Sequence, residues 1–216
     1  MKKQECWYKD VCTYDSCTNC IRYVEMKYLL DTSGIPKSRQ YPQELIADVD
    51  LNAYRKLADI KLDIVEFVES GSNLFICSQN TGNGKTSWAI KLMLRYFNEI
   101  WAGNGFRARG LFVNVPTLLL QLKNFDNPLP EEFKQHLMDV DLVIWDEIAS
   151  TSISNYDYSN LLMFLDYRIL NDKSNIFTSN AVTKDELEKN VGAKLASRIW
   201  NTSEVIEFRG KDRRNG

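Results

Sequence analysis

"SQNTGNGKTSWA", residues 78–89, follows the apolar run "NLFIC" (73–77) and leads into the helix-like "KTSWAIKLMLRYFNEIW" (85–101). A short apolar strand, a glycine-bearing turn and a helix in that order can cradle phosphate. Backbone N–H groups of the turn point at anionic oxygens, and the positive N-terminal end of the helix adds to them. Gly82 and Gly84 supply unusual backbone angles, Lys85 reaches the outer phosphates, and the Thr86 hydroxyl ligates Mg²⁺. The residues assigned to the cradle are Asn80, Thr81, Gly82, Asn83, Gly84, Lys85, Thr86 and Ser87. One position departs from the pattern G-x-x-x-x-G-K-[ST]: where it has its first glycine, this chain has Gln79. From these residues alone, a plain strand-to-helix turn stays open.

A second stretch argues for the cradle. "DLVIWDEIAS" (141–150) ends an apolar run with Asp146 and Glu147, far enough after Lys85 for a helix, a strand and another helix to intervene. In a parallel sheet the end of that strand shares a rim with the phosphate loop, where ligands bind. Asp146 then holds Mg²⁺ and Glu147 orients or polarises an attacking water; alone, the pair would read as a solvated acidic turn. Asn180, closing "NIFTSN" (175–180), is placed to bond the outermost phosphate or that water, although a lone asparagine there is also an ordinary turn residue.

The surrounding pattern has the same period. "LFIC" (74–77), "GLFVNV" (110–115), "LVIW" (142–145), "NIFTS" (175–179) and "EVIEF" (204–208) are short apolar runs without strict alternation, separated by helical segments. They predict an α/β fold with a parallel five-stranded sheet covered by helices on both faces. Residues 51–70 predict one amphipathic helix, and Thr183 three residues before Glu186 predicts a capping box. Gly34, Pro36 and Pro42 mark residues 26–50 as an ordered connector, leaving residues 51–216 as the core.

Composition narrows the class. Apolar residues make up 44% and charged ones 26%, and 27 Lys+Arg against 29 Asp+Glu leave a net charge of −2. Nucleic-acid binding must therefore come from a local patch rather than from overall charge. Basic residues at the N-terminus precede no apolar signal region, and no stretch is long enough to cross a bilayer, so a cytoplasmic protein without membrane contact is expected. A reducing compartment argues against disulfides for Cys6, Cys12, Cys17 and Cys20, spaced C-x5-C-x4-C-x2-C. Four thiolates so placed predict a small Zn²⁺ module over residues 1–25, with an iron–sulfur cluster or free thiols as alternatives. Cys77 reads as core and His136 as a surface or packing residue.

Taken together, these motifs resemble the AAA+ ATPases, and within them the DnaC/DnaI family of helicase loaders. The likeness covers about residues 32–214 and rests on "SGIPKSRQY" (33–41), "NTGNGKTSWA" (80–89), "LVIWDEI" (142–148), "FTSN" (177–180) and "VGAKLASRIW" followed by "VIEFRGKDRR" (191–214). It implies ATP and Mg²⁺ as ligands, Arg198 as an arginine finger acting in trans on a neighbouring copy, and Arg213 as a second sensor. It also implies that Gly34, Ile35 and Pro36 lie near the adenine. Lys194 stands where the family often has arginine, which leaves that position's role open.

The function implied is an ATP-driven loader that assembles a hexameric replicative DNA helicase on single-stranded DNA. Residues 1–30, with Trp7, Tyr8 and Tyr23, are candidate anchors for a partner protein, and Arg107, Arg109, Arg209, Lys211 and Arg214 are candidate DNA contacts. Two alternatives remain at this level: an IstB-like transposition-regulator ATPase on duplex DNA, and a zinc-stapled adaptor that keeps its nucleotide with little hydrolysis, for which Gln79 speaks.

Overall fold

The computed structural model describes residues 12, 20–40, 49–124, 126, 128–150 and 153–212. Strands β1 (Asn73–Cys77), β2 (Gly110–Asn114), β3 (Leu142–Asp146), β4 (Ser174–Ser179) and β5 (Ser203–Glu207) form a parallel sheet in the order β2-β3-β4-β1-β5. All five predicted strands are present. Their carboxyl ends share one rim, with β1 lying between β4 and β5.

Alternate residues of each strand serve opposite layers, which explains why the strands read as unbroken apolar runs. Leu74, Ile76, Leu142, Ile144, Ile176 and Ile206 face a layer built from α1 (Ile21–Thr32), α2 (Leu51–Leu62), α3 (Ile64–Glu69) and α4 (Lys85–Ile100). Phe75, Cys77, Val143, Trp145 and Phe177 face the other layer. That layer comprises α5 (Val115–Leu122), α6 (Glu131–Asp139), α7 (Asn155–Leu170), α8 (Lys184–Val191) and α9 (Ala193–Thr202).

Three local expectations are corrected. The helix predicted over 51–70 breaks at Asp63, whose backbone leaves the helical region (φ −105°, ψ 31°). Leu62, Ile64 and Val65 are too close in sequence to share one helical face, and the break leaves Leu62 exposed while Ile64 is buried. Helix α1 begins inside the segment 1–25 read as the cysteine module and runs on into the segment read as a connector, ending at Ser33. The Thr183 side chain accepts from the Glu186 N–H at 3.2 Å, but the Glu186 carboxylate reaches one residue further back, to the Val182 N–H at 2.8 Å. A reciprocal capping box occurs instead at Ser154 and Asp157, opening α7.

At the amino ends of the strands a polar group is sealed inside the fold. Arg168 of α7 is 0% exposed and its guanidinium donates to the carbonyls of Leu137 (3.0 Å), Val140 (2.8 Å) and Ser174 (2.6 Å) and to the Asn175 amide oxygen (2.7 Å). Asn175 in turn accepts from Trp145 Nε1 at 3.0 Å and donates to Asn73 at 2.8 Å. Loss of water lowers the guanidinium pKa, and the nearby charges of Asp141 and Asp139 act against that shift. The side chain thus closes the carboxyl end of α6 and ties β4 to α7. Close by, Gly71 (φ 67°) turns the chain into β1 where an added Cβ would lie 2.8 Å from the Asp172 backbone. Arg168→Met strands several buried carbonyls and is expected to lower stability by about 3 kcal/mol or more in urea unfolding. Arg168→Lys recovers less than half of that, because an ammonium cannot reproduce the planar fork.

Candidate functional site

The glycine-bearing loop, residues 78–84, connects β1 to α4 on the carboxyl rim. Gly82 (φ 65°) and Gly84 (φ 100°) adopt the left-handed backbone that the loop requires. Among the described residues, the non-glycine positions with positive φ are Phe106, Glu147, Ala149 and Asp172, so the backbone at Gln79 has no need of glycine. The departure from the motif therefore costs the loop no strain. Ser78 organises the interior of the turn: its hydroxyl accepts from the Asn80 N–H at 3.1 Å and from the buried Asn83 amide. The Lys85 ammonium donates to the carbonyls of Asn80 (2.9 Å) and Ser78 (3.5 Å), which holds it over the loop.

Strand order brings the acidic pair to the same place. Asp146 closes β3, 5% exposed, and its Oδ1 accepts from the Thr86 hydroxyl and from the Thr178 hydroxyl, each at 2.7 Å. The Thr86 and Asp146 oxygens are the hard donors that Mg²⁺ takes, and the loop amides suit phosphate oxygens, so the residues present fit both groups.

Glu147, the next residue, has φ 60°, and its carboxylate is exposed toward the rim. Its N–H donates to Thr178 Oγ1 at 3.0 Å, and its Oε2 accepts from Asn114 Nδ2 at 3.3 Å. The strained turn is held from several sides: the Ile148 N–H donates to the Thr178 carbonyl at 2.9 Å, Ser179 Oγ donates to the Ile148 carbonyl at 2.7 Å, and Asn190 donates to the Ala149 carbonyl at 3.1 Å.

Lys85, Thr86, Asp146 and Glu147 are thus brought together, and Asn180 lies exposed at the same rim, immediately after β4. Ser87 follows in the first turn of α4. Arg198 stands on α9, half-exposed, with its Nε donating to Asp166 Oδ1 of α7 at 2.7 Å. Arg213, Arg214, Cys6 and Cys17 lie outside the described residues, as do Trp7 and Tyr8. Cys20 precedes α1 and, like Cys12, is half-buried.

Two expectations change. Gly34 and Ile35 pack against β2, where Ser33 accepts from the Phe112 N–H at 2.7 Å; this is the sheet edge opposite β5, three strands from β1. Arg109 pairs with Asp141 and donates to the Tyr96 hydroxyl at 3.0 Å, so it is tied into the fold. Arg107, Arg209 and Lys211 are exposed. Burial pushes the Cys77 thiol up to about 12, which keeps it an inert core group, and His136 is exposed on α6.

No protein-family model matches the sequence, and no curated protein sequence does. Solved structures do. A DnaC helicase loader aligns over 76% of this chain and 92% of its own at 22% identity, with a TM-score of 0.62. DnaI aligns over 81% and 95% at 19% identity, with a TM-score of 0.66. The replication initiator DnaA, in a structure with AMPPCP and single-stranded DNA, aligns over 78% of this chain and 49% of its own at 15% identity, with a TM-score of 0.58. The chain shares the fold of these DnaC and DnaI structures.

Within that shared fold, three polar residues of the site went unread in the sequence as contributors. Thr178 is a hydroxyl in an otherwise apolar run, Asn114 closes β2 and caps α5 by accepting from the Thr117 N–H at 3.2 Å, and Ser78 opens the loop. A polar residue at the carboxyl end of an apolar strand was the available signal. Thr178→Val keeps the shape and leaves the Glu147 N–H without its acceptor. It is expected to cost about 1–3 kcal/mol in thermal or urea unfolding and to raise the Mg²⁺ concentration needed for nucleotide binding. Thr178→Ser is expected to restore both.

Proposed function

We propose that this protein binds ATP with Mg²⁺ at the rim between β1 and β3, hydrolyses it, and uses the cycle to assemble a hexameric replicative DNA helicase on single-stranded DNA. The observation that carries the reading is the joint between Thr86, Asp146 and Thr178, which sets Glu147 beside the phosphate loop. The DnaC and DnaI likenesses support the loader role, and the DnaA structure with AMPPCP and single-stranded DNA supports those ligand classes.

The chemistry assigned to each group follows from its position. Loop amides and the Lys85 ammonium offset phosphate charge as it redistributes during bond breaking. Magnesium would supply positive charge that offsets the charge of the phosphates. Thr86 and Asp146 would hold it. Glu147, exposed and met by the Asn114 amide, orients a water and accepts its proton. Asn180 adds a donor at the same rim. Arg198 acts on a neighbouring copy's site and Arg213 on this one, so that hydrolysis depends on assembly; the Asp166 pairing holds Arg198 until a neighbour arrives.

The four cysteines Cys6, Cys12, Cys17 and Cys20 complete the proposal as a Zn²⁺ module that docks on the partner protein. A second reading, a nucleotide kept as a structural ligand with little turnover, has Gln79 in its favour, although that residue imposes no strain on the loop.

Hydrolysis assays on the full chain test the reading. Lys85→Ala is expected to abolish nucleotide binding, whereas Glu147→Gln retains binding and lowers the hydrolysis rate about 100-fold or more. A Glu147→Gln variant that turns over ATP at the wild-type rate would reject the assignment. Arg198→Ala is expected to lower hydrolysis about 1,000-fold only when the protein is assembled on helicase and single-stranded DNA. Metal analysis of the purified chain is expected to give one zinc per chain, lost on substituting Cys17 by Ser.

A further inference from the structure

The chain continues past β5 and lies across the phosphate loop. The Phe208 N–H donates to the Cys77 carbonyl at 2.8 Å, prolonging the sheet contact by one residue. Beyond it, Arg209 and Gly210 are gripped from both sides. Asp50, 6% exposed, directs both carboxylate oxygens at them: Oδ1 accepts from the Arg209 N–H at 2.7 Å and Oδ2 from the Gly210 N–H at 3.0 Å. From the loop side, the Asn80 amide donates to the Gly210 carbonyl at 3.0 Å and to the Arg209 carbonyl at 3.4 Å. One residue pair is thus clamped between a buried carboxylate and the loop itself.

Asp50 occupies the N-cap position of α2, where aspartate ordinarily accepts from the helix's own first amides, yet its side chain makes no cap hydrogen bond. Its carboxylate is committed instead to residues far along the chain. The same unit is packed by aromatic rings. Tyr54 of α2 meets Trp88 of α4 edge-on at 5.1 Å and Phe208 at 5.5 Å, so the segment is wedged between α2 and the helix that begins at Lys85. The segment ends on the loop: Thr81 donates its hydroxyl hydrogen to Asp212 Oδ2 at 3.2 Å.

We propose that residues 208–212 are a strap coupled to nucleotide occupancy. Asp50 is its positioning residue, and the Asp212 carboxylate on Thr81 is the contact that incoming phosphate displaces. The inference rests on the nucleotide-binding reading given above. Its physical content is a like-charge conflict. Thr81 and Gly82 belong to the turn whose amides face phosphate, and a carboxylate held on Thr81 raises the cost of bringing a polyanion to that turn. By linkage the conflict is reciprocal: phosphate weakens the hold of Asp212 exactly as far as Asp212 weakens phosphate binding. The clamp on residues 209–210 stays in place and keeps Asn80 braced, so release is confined to Lys211 and Asp212.

The test uses the full chain, a fluorescent non-hydrolysable ATP analogue with Mg²⁺, and limited trypsin digestion. Asp212→Asn is expected to bind the analogue about 5-fold tighter or more than wild type. Asp172→Asn, an exposed carboxylate beside the Gly71 turn with the same change in net charge, is expected to leave affinity within twofold. Saturating analogue is expected to speed cleavage after Lys211 in the wild type while cleavage after Arg209 stays slow. In Asp50→Asn both sites are expected to be cut quickly with or without the analogue. A wild-type chain that binds no analogue overturns the nucleotide reading and the strap with it. Wild-type binding with unchanged Asp212→Asn affinity, or with cleavage after Lys211 indifferent to the analogue, overturns the strap alone.

Discussion

One carboxylate oxygen joins three distant parts of the chain. Asp146 Oδ1 accepts from the hydroxyls of Thr86, in the helix after the glycine-bearing loop, and of Thr178, in the neighbouring strand. The bond from Thr178 is buried and the bond from Thr86 half-buried, so little water competes for that oxygen. Because Thr178 also accepts from the Glu147 N–H, the same hydroxyl that serves Asp146 sets the orientation of the next residue. The spacing between the loop, Thr86, Asp146 and Glu147 is therefore decided by the pairing of β3 with β4.

The turn after β3 stores backbone strain that the surroundings hold in place. Glu147 and Ala149 both have positive φ, a conformation that costs non-glycine residues free energy. Bonds from Ile148 to Thr178, from Ser179 to Ile148 and from Asn190 to Ala149 over-determine it. The result is a carboxylate aimed outward from a fold whose neighbouring residues, Asp146 and Ile148, are buried. The two ends of the sheet thus treat polar groups differently. At the amino end Arg168 is enclosed and its bonds are directed at backbone carbonyls, whereas the carboxyl rim leaves Glu147 and Asn180 exposed.

Much of the fold was legible locally. The five apolar runs became the five strands because each strand lies between two helical layers, and apolar residues on both faces are the consequence. That Lys85, Thr86, Asp146 and Glu147 would meet was legible because the start of a helix after one parallel strand and the end of another strand share a rim. The break at Asp63 was less so: helical spacing over 51–70 holds for most positions, and the conflict among Leu62, Ile64 and Val65 is settled only by which of them the core accepts. Gly34 and Ile35 were placed by family likeness near a base, yet the edge of β2 claims them through a single backbone bond from Phe112 to Ser33.

From the sequence by itself came the kinds of element, their order and the chemical character of the loop, since periodicity and glycine placement act over a few residues. The strand order β2-β3-β4-β1-β5 belongs to tertiary structure, and with it the partners of every polar side chain at the rim. Thr178 gains a role only when β4 lies beside β3, Arg168 only when the end of α6 packs over it, and Asp50 only when the chain after β5 returns to the loop. Each of these groups finds its partner across tens of residues of sequence, and burial is what makes the partner obligatory.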